Sequence, residues 1–293
     1  MPSMTILNRE GLSRSVVQLA TFYRTIYTIT MDIISSASNP TVKYLRKLTT
    51  SSKFRREEGT VIAHGIHLIR SCLDAGVTPK MYVTAESARS NSEVVALITE
   101  LENTSAQHIA IKDTLYESLS DVHASVGISL VFTPSVAGKS DTLSRDALLL
   151  EDIQDPGNLG TALRTAAAAG IKDIYLSTNA ASAWSPKALR AGMGAQFWLN
   201  IHEDVDLVHL AARATVPVLA TTLSAKSSNL YETDLRGTVA WVFGNEGNGL
   251  STDLEIASTG HIHIPQADTP VESLNVAAAV AVCLFEQNRQ RLG

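Results

Sequence analysis

The sequence has little cysteine, little charge and no hydrophobic run of membrane-spanning length, and each shortage removes a class of protein. Only Cys72 and Cys283 occur in 293 residues, far apart and outside any C-x-x-C pair. That spacing argues against a disulfide framework and a cysteine-based zinc site, and leaves both thiols as buried apolar groups. The longest apolar run, 276–285, is about half of the ~20 residues that cross a bilayer. Arg24 interrupts the apolar stretch near the N-terminus, so no transmembrane segment is expected. Charged residues make up 18% of the chain against 45% hydrophobic, a balance that excludes extensive disorder. The net charge of -5 gives no global attraction to a polyanion, so a nucleic acid would have to meet a local basic patch.

The length of 293 residues exceeds the usual size of one core and predicts two domains. Residues 1–30 hold Arg9, Arg14 and Arg24 against one acid, Glu10. This composition fits a transit peptide, but is read first as a flexible extension or a mis-chosen upstream start, with Met31 opening the folded chain. From 31 to 133, short strands at 60–63, 81–84, 108–111 and 128–132 alternate with helices at 66–74 and 92–102, a small α/β unit. Turn formers without periodicity then place a linker at 134–146. In 147–293, strands at 148–153, 174–177, 216–221, 239–243 and 261–264 are separated by helical patterns, which implies a mainly parallel sheet with ligand at the strand ends.

Three loops of this second domain can carry chemistry. The first, Asp155-Pro-Gly-Asn-Leu-Gly-Thr-Ala-Leu-Arg164, follows a strand and opens a helix closed by Gly170. Asn158 lies at the helix mouth, where free N–H groups and the positive dipole end suit a phosphate, and Arg164 adds a fork of donors. Equally, Asn158 can be a cap and Arg164 a solvated side chain. The second, Phe243-Gly-Asn-Glu-Gly-Asn-Gly249, permits close backbone approach to a ligand. Its G-x-x-G-x-G spacing matches neither the dinucleotide fingerprint nor the phosphate loop, and Glu246 would repel a pyrophosphate. It can also be a plain strand-to-helix turn. The third, from Ile264-Pro to Glu272-Ser-Leu-Asn275, leads into an apolar helix, with Ser273 and Asn275 as caps or polar fingers.

Together, in this order, the three loops resemble the SpoU (SpoU/TrmH) branch of the SPOUT methyltransferases. Ser185-Pro-Lys-Ala-Leu-Arg-Ala-Gly-Met-Gly194 is similar to a further family helix, with Gly192 where a serine is usual. The likeness spans 33–288. It implies an α/β trefoil-knot catalytic domain with a mainly parallel sheet, preceded by a smaller α/β ribosomal-protein-like RNA-binding domain that opens at Ile34-Ser-Ser-Ala-Ser-Asn-Pro-Thr-Val-Lys43. Lys43, Arg46, Lys47, Lys53, Arg55 and Arg56 all precede the first following acid, Glu57, and supply the local basic surface that the global charge lacks. A solvated helix face is the plainer reading of such a run. Two departures bear on RNA choice: His64-Gly65 stands where the family often has E-G, and 123–127, beginning at His123, replaces its T-P-Q-G turn. His64 and His67 are spaced as a metal pair could be, but further ligands are missing and no metal is expected. His261 and His263 alternate along a strand and read as structural.

What the resemblance implies is methyl transfer from S-adenosylmethionine to a ribose 2′-hydroxyl of RNA, foremost 23S-type ribosomal RNA, by a cytoplasmic homodimer. The cofactor would lie against Thr221, Gly244, Asn245, Gly249, Ile264 and Leu274. Asn158, Arg164, Glu246, Ser273 and Asn275 would line the acceptor side. Arg164 is the family's proposed base, yet a guanidinium, seldom deprotonated in proteins, is better suited to positioning. Alternatives are a transfer RNA ribose methyltransferase, a base-modifying relative, or a non-catalytic RNA-binding assembly factor of the same fold. A nucleotide-dependent oxidoreductase is disfavoured by the missing glycine fingerprint.

Overall fold

The structure, a computed structural model, describes residues 32–119, 126–135, 137–138, 141–224, 226–268, 270 and 273–292. The readings made for residues 1–30, Met31, His123 and Glu272 lie outside the described residues.

The first unit contains α1 (Pro40–Thr50), α2 (Ser52–Glu58), β1 (Val61–His64), α3 (Ile66–Asp74), β2 (Pro79–Ala85), α4 (Ser92–Leu101), β3 (Gln107–Ile111), α5 (Asp113–Glu117) and β4 (Ile128–Phe132). Local chemistry sets several boundaries. Asn39 caps α1 by accepting from the Thr41 N–H, Ser51 caps α2 through the Phe54 N–H, and Gly59 ends α2 in the left-handed conformation. The four strands form a mixed sheet in the order β1-β4-β2-β3.

The second unit runs β5 (Ala147–Leu150), α6 (Pro156–Ala168), β6 (Asp173–Ser177), α7 (Pro186–Gly192), β7 (Asn200–Val205), α8 (Leu207–Ala212), β8 (Val218–Thr221), β9 (Ser228–Asn229), β10 (Ala240–Phe243), α9 (Thr252–Ala257), β11 (Gly260–His263) and α10 (Val276–Leu292). Its sheet has the order β7-β6-β5-β10-β8-β11-β9, and every pairing in it is parallel. β5 and β10 are buried along their whole length, as expected of central strands covered on both faces. From β5 the chain builds outward through β6 to β7, then crosses to build β8, β10 and β11 on the other side. That reversal leaves a crevice at the carboxyl ends of β5 and β10, where ligands of open α/β sheets bind.

Two of the structure's departures from the sequence reading have a plain physical reason. β7, Asn-Ile-His-Glu-Asp-Val, is an edge strand that among the described residues pairs with β6 alone; its polar residues hide the apolar alternation of a half-buried strand. α10 extends seven residues beyond the apolar run because its polar half is docked by hydrogen bonds. Gln287 accepts from Trp241 Nε1 at 2.8 Å, and Arg291 pairs with Asp146 at 2.8 Å.

The two units share one apolar core. Phe197 meets Phe132 edge-on at 5.5 Å, and Gly194 packs so tightly on Ser71 that a β-carbon would lie 2.7 Å from the serine Cβ. None of the described helices is long and apolar enough to cross a membrane. Helices α6 and α7 approach at Gly160, where a β-carbon would stand 2.4 Å from the Ala188 carbonyl oxygen. Gly160→Ala is therefore expected to destabilise by about 1–3 kcal/mol through overpacking. Gly237→Ala, whose added methyl meets nothing within 4 Å, is expected to stay within about 0.5 kcal/mol. Thermal denaturation of the two variants checks the contrast.

Candidate functional site

The carboxyl ends of β10, β8 and β11 lie side by side. Thr221 Oγ1 donates to the Val242 carbonyl at 3.0 Å, and the Thr222 N–H donates to the Ile262 carbonyl at 2.9 Å. Thr221, Gly244 and Ile264 thus stand on or just beyond neighbouring strand ends. The turn after β10 closes on itself: Asn245 and Gly249 exchange backbone hydrogen bonds at 2.9 and 3.0 Å. The Asn245 side-chain oxygen accepts from the N–H groups of Gly247 and Asn248, while its Nδ2 donates to the Asp152 carbonyl at 2.8 Å. Gly244 is obligatory here, because a β-carbon would meet the Gly249 carbonyl carbon at 2.3 Å.

Glu246 connects this turn to the first one. Its Oε2 accepts from the Gln154 N–H at 3.1 Å, and its Oε1 accepts from the Asp155 N–H at 3.3 Å and from Asn158 Nδ2 at 3.0 Å. Asn158 Oδ1 in turn accepts from Asn275 Nδ2 at 2.9 Å. Asn275 Oδ1 receives the N–H groups of Ala277 and Ala278 and so caps α10. One chain of hydrogen bonds, Glu246–Asn158–Asn275, joins all three loops. Partial burial pushes the Glu246 carboxyl up, but the hydrogen bonds from Asn158, Gln154 and Asp155 outweigh it and hold the group below the ordinary glutamate range.

This arrangement corrects one expectation. The mouth of α6 is open in sequence to a phosphate or to a plain cap by Asn158; in the structure Asp155 is the cap, and the N–H groups just before the helix and the Asn158 amide are taken by the Glu246 carboxylate. The anion at that mouth is the protein's own. Asp155, which caps α6 through the Gly157 N–H, also pairs with Lys187 of α7 at 2.9 Å, and this lysine contact is the main reason its carboxyl is lowered.

Arg164 lies two turns further along, on the exposed stripe of α6 with Gly157, Thr161 and Ala168; Thr161, Arg164 and Ala168 are exposed. Among the described residues its guanidinium has no hydrogen-bond or ion-pair partner. Ser273 and Leu274 are exposed beside Asn275; Asn275, not Ser273, is the helix cap. Gly192 is explained as well: a β-carbon there would stand 2.5 Å from Gln196 Oε1, so the buried Gln196 fills the space that a serine would need.

The basic residues of the first unit divide. Lys43, Arg46, Lys47 and Lys53 are exposed; Arg46 donates to Ser118 at 3.2 Å, Lys47 sits 5.2 Å over the Phe54 ring, and Lys53 lies 3.8 Å from Glu57. Arg55 corrects the expected surface patch. It is only 7% exposed, its Nη1 donating to the carbonyls of Leu48 and Thr49. Arg56 turns toward the seam between the units, 3.7 Å from Asp204 of β7. His64 contacts Ser129 Oγ at 2.7 Å. Sequence reasoning missed Gln154 and Asp152 as supports of these turns, because their partners lie 92 and 93 residues away or, for Asp152 and Ser177, 25 residues away.

A parallel sheet with glycine-bearing and amide-bearing turns gathered at its switch point is the place where open α/β folds take a ligand. Residues 145–285 match the SpoU rRNA Methylase family, and residues 39–129 match the MRM3-like substrate binding domain. An uncharacterized tRNA/rRNA methyltransferase of Synechocystis is 33% identical over 91% of this chain and 97% of its own. The 23S rRNA (guanosine-2′-O-)-methyltransferase RlmB of a Burkholderia species is 30% identical over 79% of this chain and 97% of its own. In structure, the AdoMet-bound rRNA methyltransferase of Sinorhizobium meliloti superposes with a TM-score of 0.77 at 28% identity, covering 89% of this chain and 99% of that one. The chain belongs to the SpoU rRNA methylase family.

Because its folded-state pKa is lowered, Glu246 contributes stability that is fully present above the ordinary glutamate pKa of 4.5 and is lost as the pH falls below it. The melting temperatures of wild type and Glu246→Gln are expected to differ most at neutral pH and to converge in acid. A difference that stays constant from neutral pH down through that range would contradict the assignment.

Proposed function

We propose that this chain methylates a ribose 2′-hydroxyl of ribosomal RNA, using S-adenosylmethionine. The observation that carries the reading is the joining of three loops through Glu246, Asn158 and Asn275, by hydrogen bonds that span 88 and 117 residues of sequence. The residues fit the cofactor. The turn at Gly244 leaves no room for a side chain, Leu223 and Leu274 are 64% and 40% exposed and offer apolar cover, and an acid-bearing turn suits a cationic sulfonium as it repels a pyrophosphate. Thr221, Gly244, Asn245, Gly249, Ile264 and Leu274 would hold it. When bound, it supplies an electrophilic methyl group.

The protein's part is alignment and charge. Arg164 grips the phosphate beside the target ribose and stabilises the developing alkoxide. Asn275 is a positioning residue. Its carbonyl oxygen already takes two backbone N–H groups, which leaves the hydroxyl proton to water. Ser273, exposed next to it, faces the acceptor side. The unit at 31–133 binds RNA through Lys43, Arg46, Lys47 and Lys53, the segment 134–146 links it to the catalytic unit at 147–293, and the enzyme works as a cytoplasmic homodimer with a knotted catalytic domain. These assignments rest on family membership and on the exposure of Arg164.

Total RNA incubated with the enzyme and methyl-labelled S-adenosylmethionine is expected to carry label in ribosomal RNA at alkali-resistant linkages, since a methylated 2′-oxygen cannot attack its phosphate. Label in transfer RNA would move the substrate, and no uptake of the donor would favour an RNA-binding factor without activity. Arg164→Ala is expected to lose transfer by at least about a hundredfold while donor affinity, read by calorimetry, changes little.

A further inference from the structure

Asp152 follows β5 with φ of 52°, in the left-handed region where a side chain carries strain. Ser177, the last residue of β6, is bonded to it twice. The Asp152 N–H donates to Ser177 Oγ at 2.8 Å, and Ser177 Oγ donates to Asp152 Oδ1 at 2.6 Å. Asn179 Nδ2 adds a bond to Oδ2 at 3.3 Å. Held this way, the Asp152 carbonyl points to Asn245 Nδ2 at 2.8 Å and Gln154 Nε2 at 3.0 Å. Asn245 shapes the turn 244–249, and the Gln154 N–H is one of the Glu246 donors. The strained residue is therefore the point where the first turn, the second turn and the end of β6 are fastened together.

We infer that Ser177 is a positioning residue for the methyl-transfer site, acting through Asp152: it clamps a side-chain-bearing residue in a glycine-like conformation so that its carbonyl aims at Asn245 and Gln154. This deepens the proposed function and rests on it. The clamp compensates for the β-carbon at 152, and that makes the inference specific. Where position 152 is glycine, the same conformation carries no β-carbon strain and Ser177 keeps only its bond to the backbone N–H, so its loss matters less.

The test is a two-by-two set: wild type, Ser177→Ala, Asp152→Gly, and both together. Two readouts apply, namely amide hydrogen exchange of the segment 244–249, which needs no ligand, and S-adenosylmethionine affinity by calorimetry. Ser177→Ala alone is expected to speed exchange and weaken affinity by about tenfold, the scale of losing a clamp against left-handed strain. Asp152→Gly and the double variant are expected within about threefold of wild type, glycine rescuing the serine's loss. Ser177→Thr, which keeps the hydroxyl, is expected to behave as wild type. A Ser177→Ala variant with unchanged exchange, or a loss that Asp152→Gly fails to rescue, overturns the inference. Absence of donor binding by wild type would instead overturn the proposed function, and the exchange data would still judge the clamp.

Discussion

A carboxylate set among amide donors is the constraint on which the site depends. Glu246 projects from the turn after β10 into the start of α6, where two backbone N–H groups and the Asn158 amide point at one place. A helix start carries partial positive charge and unsatisfied donors, and a negative group there is favoured. Because the anion is part of the chain, the attraction serves to hold two loops together rather than to bind phosphate. Asn158 spends its remaining oxygen on Asn275, which brings the third loop into the same framework. Asn158, bonded to both of the others, would lose a partner if either moved.

The parallel sheet makes that meeting possible. Because β5 and β10 are neighbours although 93 residues apart in their registers, the loop that follows β5 and the loop that follows β10 open on the same edge. β8 and β11 complete the row on one side. On the other side, β6 ends at Ser177 beside the strained Asp152. The first unit is joined through Phe132 against Phe197 and through Gly194 on Ser71, so its exposed lysines keep a defined relation to the catalytic unit.

Much of this was legible in the sequence, for identifiable reasons. Continuous apolar runs such as Ala147-Leu-Leu-Leu150 announce central strands because parallel strands are buried on both faces. Glycines and amides clustered after those strands announce the loops. β7 was not legible, since an edge strand with Asn, His, Glu and Asp lacks any strong run. Arg55 looked like one more surface cation in a basic stretch, and only packing shows its guanidinium turned onto the carbonyls of Leu48 and Thr49. The mouth of α6 looked open to a phosphate, because nothing local in sequence shows that Glu246 will fill it. Gly192 became intelligible only with Gln196 in place.

The account holds that the three turns form one unit because their side chains are bonded in series. A double-mutant cycle across Asn158→Ala and Asn275→Ala, read as unfolding free energy by denaturant titration, tests this most directly. The account predicts a coupling of about 0.5–1.5 kcal/mol between the two positions. Strictly additive effects would show that the turns are held independently and would contradict it.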